Sequence, residues 1–174
     1  VLDDAEVDLV VGSSTQLSDS IRSKHMFDAC FLCVMRKGHP LAKPNLSIEE
    51  FAAADHLLVS LSGDSLGSTD QALHKHGLKR RVAVTVNDFT SAAPIISGSD
   101  LIALLPAGLN RELITIGNLS VTRPPIDIPN PSISMLWHKR QDNDSGLEWL
   151  RGHIHELMVT RWEQNLAEVY DCIF

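Results

Sequence analysis

The stretch Phe27-Asp28-Ala29-Cys30-Phe31-Leu32-Cys33-Val34-Met35, followed by Arg36-Lys37-Gly38-His39-Pro40-Leu41-Ala42, decides how this chain is read. The first nine residues are mostly apolar, with aromatic and β-branched members, the pattern of a strand buried on both faces. Gly38 permits a turn, and Pro40 holds His39 in extended geometry, so His39 is expected to serve the corner. After a second turn at Pro44-Asn45, Ser47 stands three residues ahead of Glu50. That spacing is a capping box and predicts a helix from Ser47 to about Ala54. Buried strand, tight corner and capped helix in succession make an α/β element.

Working outward, Val7 to Val11 reads as a short strand ending at Gly12, with the polar loop Ser13-Ser14-Thr15 behind it. Further strands are expected at His56–Ser60, Arg80–Val86, Leu101–Leu105 and Ile133–Trp137, and an extended segment at Leu119–Arg123. Helices are expected over 67–76, stopped by Gly77 with Leu78 behind it, and over 89–97 behind Asp88 as a cap. One or two helical turns fit 107–113. Ser145-Gly146-Leu147-Glu148 reads as a second capping box, opening a long helix with Trp149, Leu150, Ile154, Leu157 and Met158 at helical spacing. Pro124, Pro125, Pro129 and Pro131 prevent regular structure between the last two strands. Alternating strands and helices predict an α/β fold with mainly parallel sheets. Two crossings, at Ser60–Asp64 and after Arg123, predict two lobes joined by two hinges, with a ligand site in the cleft near strand ends.

Composition narrows the function classes. The chain has 174 residues, 44% of them hydrophobic, enough for one domain or two small lobes. A net charge of −7 argues against nucleic-acid binding by this segment and against docking on an anionic membrane. No apolar run approaches the ~18 residues of a membrane helix, and Val1-Leu2-Asp3-Asp4 has no signal-like character. The three cysteines, Cys30, Cys33 and Cys172, form no disulfide framework, which points to reduced thiols in the cytoplasm. Cys30 and Cys33 spell C-x-x-C, but residues three apart on a strand face opposite ways.

Several constellations have a structural reading beside the chemical one. Gly63-Asp64-Ser65-Leu66 spells the nucleophile motif of GDSL-type hydrolases, which also need a D-x-x-H, and none occurs. A hinge loop explains the string as well. His74 and His76, like His153 and His155, are two apart on expected helices, not the i, i+4 spacing of a metal pair. Lys79-Arg80-Arg81 could hold a phosphate or simply begin a solvated strand. The loops Ser13-Ser14-Thr15 and Ser60-Leu61-Ser62-Gly63 follow strand ends, where backbone N–H groups and hydroxyls can converge on a ligand, or can make ordinary turns. Asp88 is open to two readings: an N-cap, or a carboxylate facing a ligand and disfavouring anions there.

Seven strings in order over about 5–155 resemble the effector-binding domain of LysR-type transcriptional regulators. They are V-D-L-V-V-G (7–12), R-K-G-H-P-L-A (36–42), L-S-I-E-E-F (46–51), H-G-L-K-R-R (76–81), D-L-I-A-L-L-P (100–106), S-M-L-W-H (134–138) and W-L-R (149–151). The flavour is that of regulators of nodulation and aromatic-compound catabolism. The resemblance implies two periplasmic-binding-protein-like lobes, about 1–59 with 124–174 and about 60–123. It implies a small-molecule effector held between them, no cofactor, no metal and no catalysis. Candidate ligand contacts are then Ser13, Ser14, Ser60, Ser62, Gly63, Asp88, Phe89, Thr90 and Trp137. Family members carry an N-terminal winged helix-turn-helix, a linker helix and a further strand, helix and strand before the D-L-V-V-G segment. None of these is in the chain, so DNA is expected to be reached only through that absent domain, and the first lobe is expected to be incomplete. Self-association is expected through the helix at 67–76 and through open sheet edges. A free-standing small-molecule-binding protein of the periplasmic-receptor type is the alternative, and a GDSL-type hydrolase a third reading.

Overall fold

The computed structural model describes residues 1–13, 17–60, 67–107 and 118–173. They form two compact units. One comprises Val1–Ala29 with Asn130–Ala167, and the other Cys30–Pro129 with Glu168–Phe174. The lobe boundaries drawn from the sequence, 59/60 and 123/124, both fall inside the second unit.

The first unit is built on an antiparallel sheet in the order β1 (Val10–Gly12), β8 (Ser132–His138), β2 (Ile21–Asp28). Val10 pairs with Leu136 and Gly12 with Ser134 on one side of β8, and Arg22 pairs with Trp137 on the other. Met26, Met135 and Leu136 are buried, as is Trp162 of the long helix α4 (Ser145–Ile173), whose ring stacks on Phe27 at 4.4 Å between centroids. The cap of α4 is Asp144, not Ser145: its carboxylate accepts from Leu147 N–H at 2.8 Å and its carbonyl from Glu148 N–H at 2.8 Å. A carboxylate one position earlier outcompeted the serine, since both are strong caps.

The second unit holds a mixed five-stranded sheet in the order β5 (Arg81–Val86), β4 (Asp55–Val59), β6 (Ile102–Pro106), β3 (Phe31–Arg36), β7 (Leu119–Thr122). The β4–β5 and β4–β6 pairs are parallel, and β3 is antiparallel to both β6 and β7. The expectation of mainly parallel sheets is therefore corrected. Only β4, β5 and β6, separated by the helices α2 (Ser68–Lys75) and α3 (Ala92–Ser97), have the crossovers that parallel pairing needs. Strands β1, β2 and β3 follow one another with no helix described between them.

The decisive stretch splits into two strands. Ala29 N–H still bonds within the first unit, to Pro131 O at 2.9 Å, while Cys30 O already accepts from Ala107 N–H of the second, at 2.8 Å. Periodicity could not show this break, because both halves are apolar. The second half is as buried as expected: Leu32, Cys33, Val34 and Met35 are all core residues. Around Cys33 and Met35 gather Phe51 and Ala52 of α1 (Ile48–Ala53), Ala72 and Leu73 of α2, Ile102, and Ile126 and Ile128 from the proline-rich segment. The capping box on α1 is complete, with Ser47 Oγ accepting from Glu50 N–H and Glu50 Oε2 from Ser47 N–H, both at 3.1 Å.

His39 serves its corner. Its Nδ1 accepts from Leu41 N–H at 3.1 Å, which leaves Nε2 as the donor to Asp100 O at 3.2 Å. Arg36 grips the same residue through its guanidinium, 2.6 Å from Asp100 Oδ1. Gly38 has the positive φ of 74° that this turn requires.

Candidate functional site

The parallel strands β4 and β5 end side by side. Ser60 N–H donates to Val86 O at 2.9 Å, so the first residue after β4 is bonded to the last residue of β5. Asp88, Phe89 and Thr90 follow two to four residues beyond. Carboxyl ends of parallel strands are where open α/β sheets bind ligands. Of the nine candidate contacts, four are thereby gathered at one edge: Ser60, Asp88, Phe89 and Thr90. Ser62 and Gly63, and with them the whole Gly63-Asp64-Ser65-Leu66 string, lie outside the described residues, as do Ser14 and most of the expected turns over 107–113.

Asp88 organises this edge. Its carboxylate accepts from Thr90 Oγ1 at 2.5 Å, Ser91 N–H at 2.7 Å and Ser91 Oγ at 2.6 Å. These bonds from Ser91 and Thr90 hold its pKa down to about 2, so it is ionised at any physiological pH. Asp88 thus caps the turn 88–91, and the helix begins at Ala92, later than the expected start at 89. The N-cap reading of Asp88, with the Ser91 N–H as its donor, holds; the added bonds from the Thr90 and Ser91 hydroxyls were not foreseen, and their signal is the run Asp-Phe-Thr-Ser, an aspartate followed by hydroxyls able to bond back to it.

The remaining described candidates belong to the first unit. Ser13 is exposed just past β1, and Trp137 lies on β8. They stand at opposite ends of the β1–β8 ladder, since Gly12 faces Ser134 and Val10 faces Leu136. The Trp137 indole N–H donates to Asp142 Oδ1 at 2.8 Å, Arg22 Nε reaches Asp142 Oδ2 at 3.0 Å, and the Arg151 guanidinium lies 4.7 Å over the Trp137 ring. The bonds from Trp137 and Arg22 lower the Asp142 pKa. The indole's one polar atom is therefore committed within this cluster.

The other constellations resolve into structure. Arg80 pairs with Asp70 and Arg81 with Asp55, which leaves the basic run without two of its three charges for a phosphate. Among the described residues no three His, Cys, Asp or Glu side chains are placed to hold a metal, and no helix is long and apolar enough to cross a membrane. The Cys33 thiol is buried and its pKa is pushed up to about 12, while Cys30 is half-buried; neither is in a disulfide. A groove of about 550 Å3 lies along α2, lined by Asp70, Gln71, His74, Leu78, Lys79 and Arg80, at the amino end of β5 and so at the opposite end of that strand from Asp88.

Comparison with known proteins places these features in a family. The family model described as the LysR substrate binding domain matches residues 1–159. The HTH-type transcriptional activator NagR of Ralstonia sp is 30% identical over 156 residues, covering 90% of this chain and 52% of that protein. NahR of Pseudomonas putida, also an HTH-type transcriptional activator, is 28% identical, covering 91% of this chain and 53% of its own. The chain thus spans about half the length of these relatives. Among solved structures, the regulatory domain of MexT, a transcriptional activator in Pseudomonas aeruginosa, matches with a TM-score of 0.78 at 30% identity, covering 89% of this chain and 74% of that one.

Proposed function

Because the chain belongs to the LysR family, whose substrate-binding domain matches residues 1–159, we propose that it is the small-molecule sensor of a bacterial transcription regulator. The family is one of regulators, not of enzymes. The effector is received at the carboxyl edge of β4 and β5, where Ser60, Asp88, Phe89 and Thr90 converge. The observation that carries this is the Ser60–Val86 bond, which brings two strand ends and the Asp88 turn to one place. Ser13, Ser14, Ser62 and Gly63 complete the candidate set as polar loops after strand ends that the family resemblance favours as ligand contacts, and Trp137 joins them through that resemblance. The effector acts through its difference in affinity for two conformations of the sensor, since a ligand shifts an equilibrium only by that difference.

DNA recognition is assigned to another segment of the regulator, because a net charge of −7 supplies no cationic surface for phosphates. We further propose a cytoplasmic location, in keeping with reduced thiols at Cys30 and Cys33, and self-association. The test is a thermal-shift screen of this chain against small aromatic compounds, followed by Ser60→Ala and Thr90→Ala. A compound whose stabilisation falls in both variants supports the edge as the site. Binders indifferent to both substitutions overturn it, and sequence-selective retardation of DNA by this chain at physiological salt overturns the division of labour.

A further inference from the structure

The groove along α2 lies at the far end of β5 from Asp88, and its volume of about 550 Å3 is that of a small-molecule pocket. Asp70, Gln71 and His74 line it from the helix, three and four residues apart and so on one face. Leu78, Lys79 and Arg80 line it from the chain that returns past Gly77. Asp70 and Arg80 neutralise one another in their ion pair. Gln71, His74 and Lys79 are exposed, and their side chains have no partner among the described residues. The Lys79 ammonium is therefore a permanent charge that the groove leaves uncompensated. Arg80 is 2% exposed, and its guanidinium carries five N–H groups. Two go to Asp70 and one to His56 Nδ1, and the others have no acceptor among the described residues. Buried donors without an acceptor are costly, so they favour a visitor that brings one. Half-buried Leu78 and the alkyl stems of Gln71 and Lys79 supply an aliphatic floor.

We propose that this groove is a second small-molecule site, distinct from the β4–β5 edge, and that it takes an aliphatic monocarboxylate. The hydrocarbon body lies over Leu78, and the carboxylate meets Lys79 and the unpaired N–H groups of Arg80. A phosphate dianion would bring two charges to one free cation. An amine would meet Lys79 as a like charge. The proposal stands apart from the reading of the β4–β5 edge, because the two share no residue.

The test titrates the 15N-labelled chain with hexanoate, hexanamide, hexylammonium and acetate, and follows the amide resonances of Gln71, His74, Leu78, Lys79 and Arg80 by NMR. Hexanoate should half-saturate their shifts at a concentration about fivefold or more below hexanamide, as a partly solvated ion pair allows. Hexylammonium and acetate, one lacking the charge and the other the hydrocarbon body, should be weaker still. Lys79 is exposed and unpaired, so Lys79→Gln leaves the fold in place, and it should bring hexanoate to within about twofold of hexanamide. Leu78→Ala should weaken hexanoate and hexanamide alike, by about threefold. Hexanamide or hexylammonium binding as tightly as hexanoate, or hexanoate binding that Lys79→Gln leaves unchanged, would overturn the ligand class. No saturable shift at these amides with any probe would overturn the site. Shifts that appear on dilution of the free chain, with no response to hexanoate, would give the groove to a second copy and overturn the proposal.

Discussion

Arg80 and Asp70 form a buried, two-pronged ion pair. Arg80 Nε lies 2.9 Å from Asp70 Oδ1 and Nη2 lies 2.7 Å from Oδ2, with the two side chains 2% and 15% exposed. Asp70 also accepts from Gly67 N–H at 2.7 Å, and Arg80 Nη1 is 3.4 Å from His56 Nδ1. The pair therefore fastens the start of α2 to the residue ahead of β5 and to the side of β4. Burial would raise the Asp70 pKa, but the bonds from Arg80 and Gly67 outweigh it and hold it low.

Removing one partner leaves the other charge buried without compensation, which costs more than the pair contributes as a whole. Asp70→Asn is expected to destabilise the chain by about 3 kcal/mol. Arg80→Lys keeps the charge but loses the planar fork, and should cost roughly 1–2 kcal/mol. Urea midpoints at constant m-value check both. A loss under 0.5 kcal/mol for Asp70→Asn would show that the pair is solvated in solution.

His56 gives the domain a pH dependence. Its side chain is fully buried, Nε2 donates to Phe51 O at 2.8 Å, and the Phe51 ring meets it edge-on at 4.8 Å. Burial depresses its pKa from 6.5 to about 4, against the raising effect of the Phe51 bond. The unfolded chain thus binds a proton at His56 before the folded one does. The corresponding stability is fully present above pH 6.5 and is lost as pH falls towards 4. About 2 kcal/mol should go between pH 7 and pH 5, and His56→Gln should flatten that slope. Equal slopes in the two proteins over this window would refute the assignment.

Gly77 closes α2 with φ of 70°, with Gly77 N–H on His74 O and Leu78 N–H on Leu73 O, both at 3.0 Å. This is the paired bonding of a Schellman end. A Cβ there would touch nothing within 4 Å, so Gly77→Ala is penalised by backbone conformation alone, by roughly 1 kcal/mol. Gly77→Asn, which tolerates this region better, should lose less. Thermal unfolding of the pair of variants measures the difference, and an alanine variant as stable as wild type would contradict the cap.

How much was legible in the sequence depended on whether a signal was local. The Ser47–Glu50 box and the Gly77 stop were read correctly because each is settled within one turn of chain. Strand direction was not, since it depends on which strand lies alongside: β3 runs against β6, a partner some 70 residues away, as the pairing of Val34 with Ala103 shows. The break at Ala29-Cys30 stayed hidden because a change of hydrogen-bond partner leaves no trace in hydropathy. Of the site, the strand ends were visible as polar loops after apolar runs. The direction of the Thr90 and Ser91 hydroxyls, both turned onto Asp88, was not.

The last prediction concerns association. On α4, Trp149, Leu150 and Leu157 are 62%, 37% and 68% exposed, and Trp149 lies against His153 with ring centroids 4.1 Å apart. Trp149, His153 and Leu157 recur every four residues, so they line one outward face of the helix, while Trp162 lies on the buried one. The neighbouring sheet edge is a poorer docking strip, because β2 carries Arg22, Lys24, His25 and Asp28 and charged edges resist strand addition. Self-association is therefore expected to use this helix face. Burying a tryptophan and a leucine in contact should contribute a few kcal/mol at about 25 cal/mol per Å2, so Trp149→Glu with Leu157→Glu should weaken association at least roughly 30-fold. The alternative face is the groove along α2, tested by Leu78→Glu. Sedimentation of wild type and both variants over a range of concentrations separates the cases. Weakening by the α4 pair alone supports the helix face, weakening by Leu78→Glu alone moves the interface to α2, and a wild type that stays monomeric at high concentration rejects both.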